Sequence, residues 1–221
     1  MKNIFSHLVK NYITLVQHRK SNLTKTASYN NNIIEKRYPL TISSSLSSAA
    51  VDVYNALDTL IDRSIPLKDI IVLCIGTDRA TGDSLGPIVG YKLMELTDNT
   101  PLILGTLSSP IHGKNLHSTA EQINNLYPKR FIIAIDACLG SSNSIGNIYV
   151  EKGPLYPGSA LNKKLMPIGD ISITAVVNAL SGDSFTTLQN TRLFTVVSIA
   201  EIICNGILKF IVSRETYQNI E

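Results

Sequence analysis

The stretch Ile70–Gly90, IIVLCIGTDRATGDSLGPIVG, decides how the chain is read. Ile70 to Ile75 is a short unbroken apolar run, the pattern of a strand buried on both faces of a sheet. The run breaks at Gly76 into a polar loop from Thr77 to Ser84. Leu85-Gly86-Pro87 then leads into Ile88, Val89, Tyr91, Leu93, Met94 and Leu96, whose spacing gives a helix with a broad apolar face. Strand, polar loop and helix open an α/β unit, and in open sheets of this kind chemistry gathers at the carboxyl ends of the strands.

The same alternation continues outward. Pro101–Leu107 reads as a second buried strand, followed by the loop Ser108–Lys114 and a helix from Asn115 to Tyr127 stopped by Pro128. Phe131–Ile135 is the clearest buried strand, ending on Asp136. Parallel strands joined by right-handed crossovers follow from this order, so Asp83, His112 and Asp136 should emerge at one sheet edge. Later strands are expected at Asn147–Val150 and Ile171–Val177, and a last helix at Asn190–Val212 with Leu193, Val196, Val197, Ala200, Ile203, Ile207 and Phe210 facing inward. Upstream, Ser-rich capping positions precede a helix from Ala49 that ends near Pro66. Residues 43–221 therefore form an α/β domain. Residues 1–42 form an N-terminal arm, made of an amphipathic helix over Met1–Lys20 and a polar linker over Ser21–Tyr38. That helix either docks on the domain or lies on a membrane surface. Lys10 and Asn11 interrupt any signal-peptide core.

A chain of 221 residues, 44% hydrophobic and 17% charged, can bury a large core. A net charge of +3, with no basic stretch interleaved with aromatics, argues against nucleic acid as a partner. No transmembrane segment is expected. Cys74, Cys138 and Cys204 are widely spaced in apolar contexts, which fits buried thiols in a reducing compartment, the cytoplasm.

Chemistry concentrates on a few side chains. Were Asp83 the helix N-cap, Pro87 would be the fourth helical residue and would forfeit a hydrogen bond, so Asp83 belongs to the loop. Asp136 closes an apolar strand, where a carboxylate is costly without a partner or a task. One reading makes it a structural anchor for backbone N–H groups. The other pairs it with Asp83, a dyad sharing one proton that can activate water and protonate a leaving amine. His112 is the third catalytic candidate. Asp78, Arg79 and Ser84, on the first loop, are the substrate-binding candidates, and Arg79 suits a substrate carboxyl. Other strings fail on context. Gly82-Asp83-Ser84-Leu85 matches the tag of a serine esterase family, but no histidine follows His117 to complete a triad. The glycines lack the pattern of a P-loop or dinucleotide turn. Cys138 sits among apolar neighbours that hold a thiol neutral.

At Gly82–Pro87, within IGTDRATGDSLGP, and at Ile135-Asp136-Ala137, the chain resembles the YyaC family of sporulation proteins. That family is related to the spore germination protease and, more distantly, to hydrogenase maturation endopeptidases. LQNTRLFTVVSIAEII near the C-terminus resembles the family too, and the likeness spans about residues 45–212. The resemblance implies a three-layer α/β/α sandwich of the phosphorylase/hydrolase type with a mostly parallel central sheet. It also implies a sporulation-associated peptidase in which Asp83 and Asp136 match the catalytic aspartates proposed for the germination protease. Tyr156–Ser159 resembles a loop of that protease. The partner would be a protein or peptide substrate, small acid-soluble spore proteins first. A non-catalytic binding or regulatory relative of the same fold is the alternative, and assembly into a homo-oligomer stays open. No cofactor or metal is expected.

Overall fold

The computed structural model describes residues 39–98, 100–158 and 165–218. The expected N-terminal amphipathic helix and polar linker fall in residues 1–38, outside the described residues. In chain order the elements are β1 (Leu40–Ser43), α1 (Ala49–Leu60), β2 (Ile70–Cys74), α2 (Leu85–Leu96), β3 (Leu102–Leu104) and α3 (Leu116–Leu126). Then come β4 (Phe131–Gly140), β5 (Asn147–Lys152), β6 (Ile171–Ala179), α4 (Ser184–Gln189) and α5 (Leu193–Gln218).

The strands form one six-stranded sheet in the order β1-β5-β6-β4-β2-β3. β3, β2, β4 and β6 run parallel, while β5 is antiparallel to both β6 and β1. Side chains alternate across it. Ile70, Val72, Ile133, Ile135, Ile171 and Ile173 face the core shared with α1, α2 and α5. Ile71, Leu73, Ile75, Ile132 and Ala134 face α3 and Leu155, Leu165 and Ile168 of the β5–β6 connection. Both faces of the parallel strands are covered, which explains their unbroken apolar sequences. The result is the expected three-layer α/β/α sandwich.

Several expectations shift in detail. β1 takes in Leu40–Ser43, which the sequence leaves mostly in the arm, and pairs Ile42 with Ile148 of β5. The helix expected from Asn190 begins at Leu193 as α5, and the short α4 before it is not foreseen. Leu193, expected inward, is 58% exposed at the start of α5, while Val196, Ala200, Ile203, Ile207 and Phe210 are buried as expected. Contrary to expectation, one helical stretch, Leu193–Thr216, is long and apolar enough to cross a membrane, with a mean hydropathy of 1.8. Half of that apolar stretch is buried in the domain, on the face turned to α1 and α2. Its other end is tied to the end of α1, because the buried Arg214 donates from Nη1 to the Asp62 carbonyl at 2.9 Å.

The β2–α2 junction sets up the site. Gly76 has φ +137°, and a Cβ there would lie 2.0 Å from the Asp83 carbonyl oxygen. Only glycine makes that turn. Its N–H donates to the Ile111 carbonyl at 2.7 Å, and the Thr77 N–H donates to the Asp83 carbonyl at 3.0 Å. The loop then closes in a 3-10 turn, Thr81–Ser84, that runs straight into α2. With Ser84 as the cap, Pro87 is the third helical residue, where no N–H is required. Asp83 is thus free of the capping role, as the proline argument requires.

Candidate active site

A cleft of about 570 Å³ opens beyond the ends of β2 and β3, beside the middle of β4. The β2–α2 loop lines it with Thr77, Arg79, Ala80 and Asp83, the β3–α3 loop with His112 and Lys114, and β4 with Asp136. The far wall is Pro157, Gly158 and Leu165 of the β5–β6 connection, with Phe185 and Leu188 of α4. All three catalytic candidates share this one space.

Asp136 does not end its strand, as the sequence reading had it. β4 runs on to Gly140, with Asp136 paired to Thr174 of β6. What ends there is the neighbour: the β2–β4 ladder stops at Cys74–Ile135, because Gly76 turns β2 out of the sheet. A carboxylate is therefore tolerated in mid-strand, since it lines the cleft that opens where β2 turns away. It is 7% exposed, and one oxygen accepts the Ala137 N–H at 2.8 Å. The Gly158 N–H donates to it as well. Burial first, and the charge of Asp83 second, hold the Asp136 carboxyl well above the usual carboxylate range. Asp136 is thus anchored by backbone amides, and it shares the cleft with Asp83, whose charge acts on it. Such a pair retains one proton between two acids, so one partner can take a proton from water while the other donates to a departing amine.

His112 stands across the cleft from the sheet end. Its Nδ1 accepts the Lys114 N–H at 3.3 Å, which puts the proton of the neutral ring on Nε2. Its own N–H donates to Asn115 Oδ1 at 2.8 Å, fixing the loop. His117 is instead exposed on α3, 3.4 Å from Glu121. Arg79 is exposed at the cleft wall, where it can meet an anionic group entering from solvent. Asp78 is exposed and stands off that wall. Ser84 is buried behind it, its hydroxyl donating to the Thr81 carbonyl at 2.6 Å to close the 3-10 turn. The structure thus gathers Asp83, Asp136, His112 and Arg79 but leaves Asp78 and Ser84 aside. Burial pushes the Cys138 thiol up to about 11, with Asp136 adding to the shift, so it stays a neutral thiol. Among the described residues no group of three His, Cys, Asp or Glu side chains is arranged to hold a metal ion.

The sequence reading missed α4, whose Phe185 is 51% exposed on the cleft wall. Its one signal is a cap: Asp183 accepts both the Thr186 N–H, at 2.8 Å, and the Thr186 hydroxyl, at 2.7 Å. Asp183→Ala is expected to speed hydrogen exchange of the α4 amides, Thr186 above all, while β4 amides keep their protection. Unchanged exchange in α4 would show that the wall stands without its cap.

Comparison with known proteins gives one family match: the family described as protein of unknown function, DUF1256, matches residues 21–206. The uncharacterized protein YyaC of Bacillus subtilis (strain 168) is 38% identical over 173 residues, which cover 78% of this chain and 84% of that protein. Among solved structures, a NiFe hydrogenase maturation protease, HycI from Thermococcus kodakarensis KOD1, aligns at 17% identity with a TM-score of 0.48, over 73% of this chain and 99% of its own.

Proposed function

We propose that this chain, which belongs to the DUF1256 family and is a YyaC-type protein, is a peptidase that hydrolyses peptide bonds of a protein substrate with the Asp83–Asp136 pair. One observation carries the reading: two acids from separate crossover units line one cleft, where burial and the charge of the first raise the carboxyl of the second well above the usual carboxylate range. In this mechanism the ionised Asp83 accepts a proton from the attacking water. Asp136, still protonated, hydrogen-bonds to the scissile carbonyl and then protonates the leaving nitrogen. His112 and Arg79 orient the substrate at the rim. The likeness of Gly82–Pro87 and Ile135–Ala137 to the YyaC family, itself related to the germination protease, makes small acid-soluble spore proteins the first substrate to try, in the cytoplasm of the sporulating cell or the spore compartment.

The test is incubation of the purified full chain with those proteins across pH, with new termini read by mass spectrometry. Cleavage by the wild type and its loss in Asp83→Asn, by about 10²–10⁴-fold in rate, is the expected outcome. Cleavage that survives Asp83→Asn would sink the mechanism. No new termini under any condition would leave the non-catalytic relative as the reading.

A further inference from the structure

We propose that Thr191 and Asn178 are positioning residues for Asp83: the hydrogen bond between them holds the turn carrying Asp83 at a fixed place against Asp136. The inference rests on the aspartate-pair reading and asks what sets the pair's separation. Asp136 is on the sheet, paired on one side to Thr174 of β6. Asp83 is not on the sheet, and its 3-10 turn needs a brace. That brace is the end of α4. A Cβ on Gly82, the residue before Asp83, would lie 2.8 Å from both Thr191 Oγ1 and Leu188 Cδ2, so the turn's backbone rests directly on Thr191 and Leu188.

Thr191 is 5% exposed and fully engaged. Its hydroxyl donates to the Thr187 carbonyl at 2.9 Å and accepts from Asn178 Nδ2 at 3.2 Å. Asn178 is on β6, beyond Thr174, and its Oδ1 accepts the Ala179 N–H at 2.8 Å. A closed path therefore runs from Asp136 through β6 to Asn178, to Thr191, to Gly82 and to Asp83. Apolar side chains would fill the same space, but they could slide. Directional bonds in a satisfied buried network define one position.

The experiment follows the carbon-13 signals of the aspartate carboxyls in the full-length protein through a pH titration. Asp83→Asn is the reference and should lower the Asp136 midpoint, because a neighbouring negative charge is removed. Thr191→Val, the same shape without the hydroxyl, should lower it by about half a unit, because the repulsion weakens as the turn relaxes away. Thr191→Ser, which keeps the hydroxyl, should titrate like the wild type. Gly82→Ala, which wedges the turn off Thr191, should act as Thr191→Val does and serves if that variant fails to fold. Arg79, His112, Lys114 and Cys138 also lie around Asp136, so the double variant Asp83→Asn/Thr191→Val is needed. It should match Asp83→Asn alone, since the network acts only through Asp83. A Thr191→Val midpoint equal to the wild type, or a further drop in the double variant, overturns the proposal while the pair survives. An Asp83→Asn protein that titrates like the wild type removes the pair and the proposal together. No turnover is needed, so a chain that cuts nothing still answers.

Discussion

Asp136→Asn is expected to abolish peptide cleavage, with kcat/KM falling about 10³-fold or more, and at the same time to stabilise the fold at neutral pH. The two effects share a cause. Burial and Asp83 raise the carboxyl's pKa in the folded state, so between its unfolded and folded values the native protein binds more protons than the unfolded chain. Stability then falls as pH rises through that window. Below the unfolded value both states carry the proton and the penalty vanishes. An uncharged Asn escapes the penalty, so the variant should melt above the wild type at pH 7, and the gap should close as pH drops toward 4. Melting curves across that range, beside a cleavage assay, check both halves. A variant that melts below the wild type at pH 7 would mean that the amide-bonded carboxylate is a stabilising anchor and nothing more.

Gly86→Val should have the largest effect on the fold itself. A Cβ at Gly86 would stand 2.2 Å from the Ile75 carbonyl oxygen and 2.7 Å from its N. Both atoms are backbone of the strand end that pairs with β4, since the Ile75 N–H donates to the Ile135 carbonyl at 2.8 Å. No rotamer change relieves a clash between two main chains, so either α2 lifts from the sheet or β2 leaves its ladder. The expected cost is about 3 kcal/mol or more, measured by urea unfolding. A loss under about 1 kcal/mol would show that α2 can start elsewhere. Gly86 is therefore read as structural, although it lies in the motif that carries the family likeness.

The order of the central elements was legible because each announces itself. Ile70–Ile75 and Phe131–Ile135 are apolar without a break, since both sheet faces are covered, and Pro87 fixes where α2 can begin. β1 was not legible: of its four residues only Ile42 is buried, too little for any alternation to show in a polar stretch. α4 has six residues, less than two turns, and its apolar Phe185 and Leu188 look like loop residues. β4 was cut short because Asp136 reads as a terminator. Its tolerance in mid-strand depends on β2 turning away at Gly76, a fact of the neighbouring strand that Asp136's own sequence cannot carry. Asp83 and His112 could be named from their loops, and Asp136 from the apolar strand it interrupts. The apolar wall opposite them, supplied by the β5–β6 connection and α4, could not. Ser84, named for its place on the first loop, is buried with its hydroxyl spent on the turn.

The two acids are held by parts of the molecule that differ in depth. Asp136 rides on a strand bonded to β2 along Phe131–Ile135 and to β6 along Ile133–Gly140. Asp83 sits on a short turn outside the sheet, braced by Leu188 and Thr191 at the end of α4. Short turns and short helices open at lower free energy than the strands of a sheet. Warming would therefore part the two carboxyls while the sheet is still intact, and the working temperature of the cleft is set by its shortest helix.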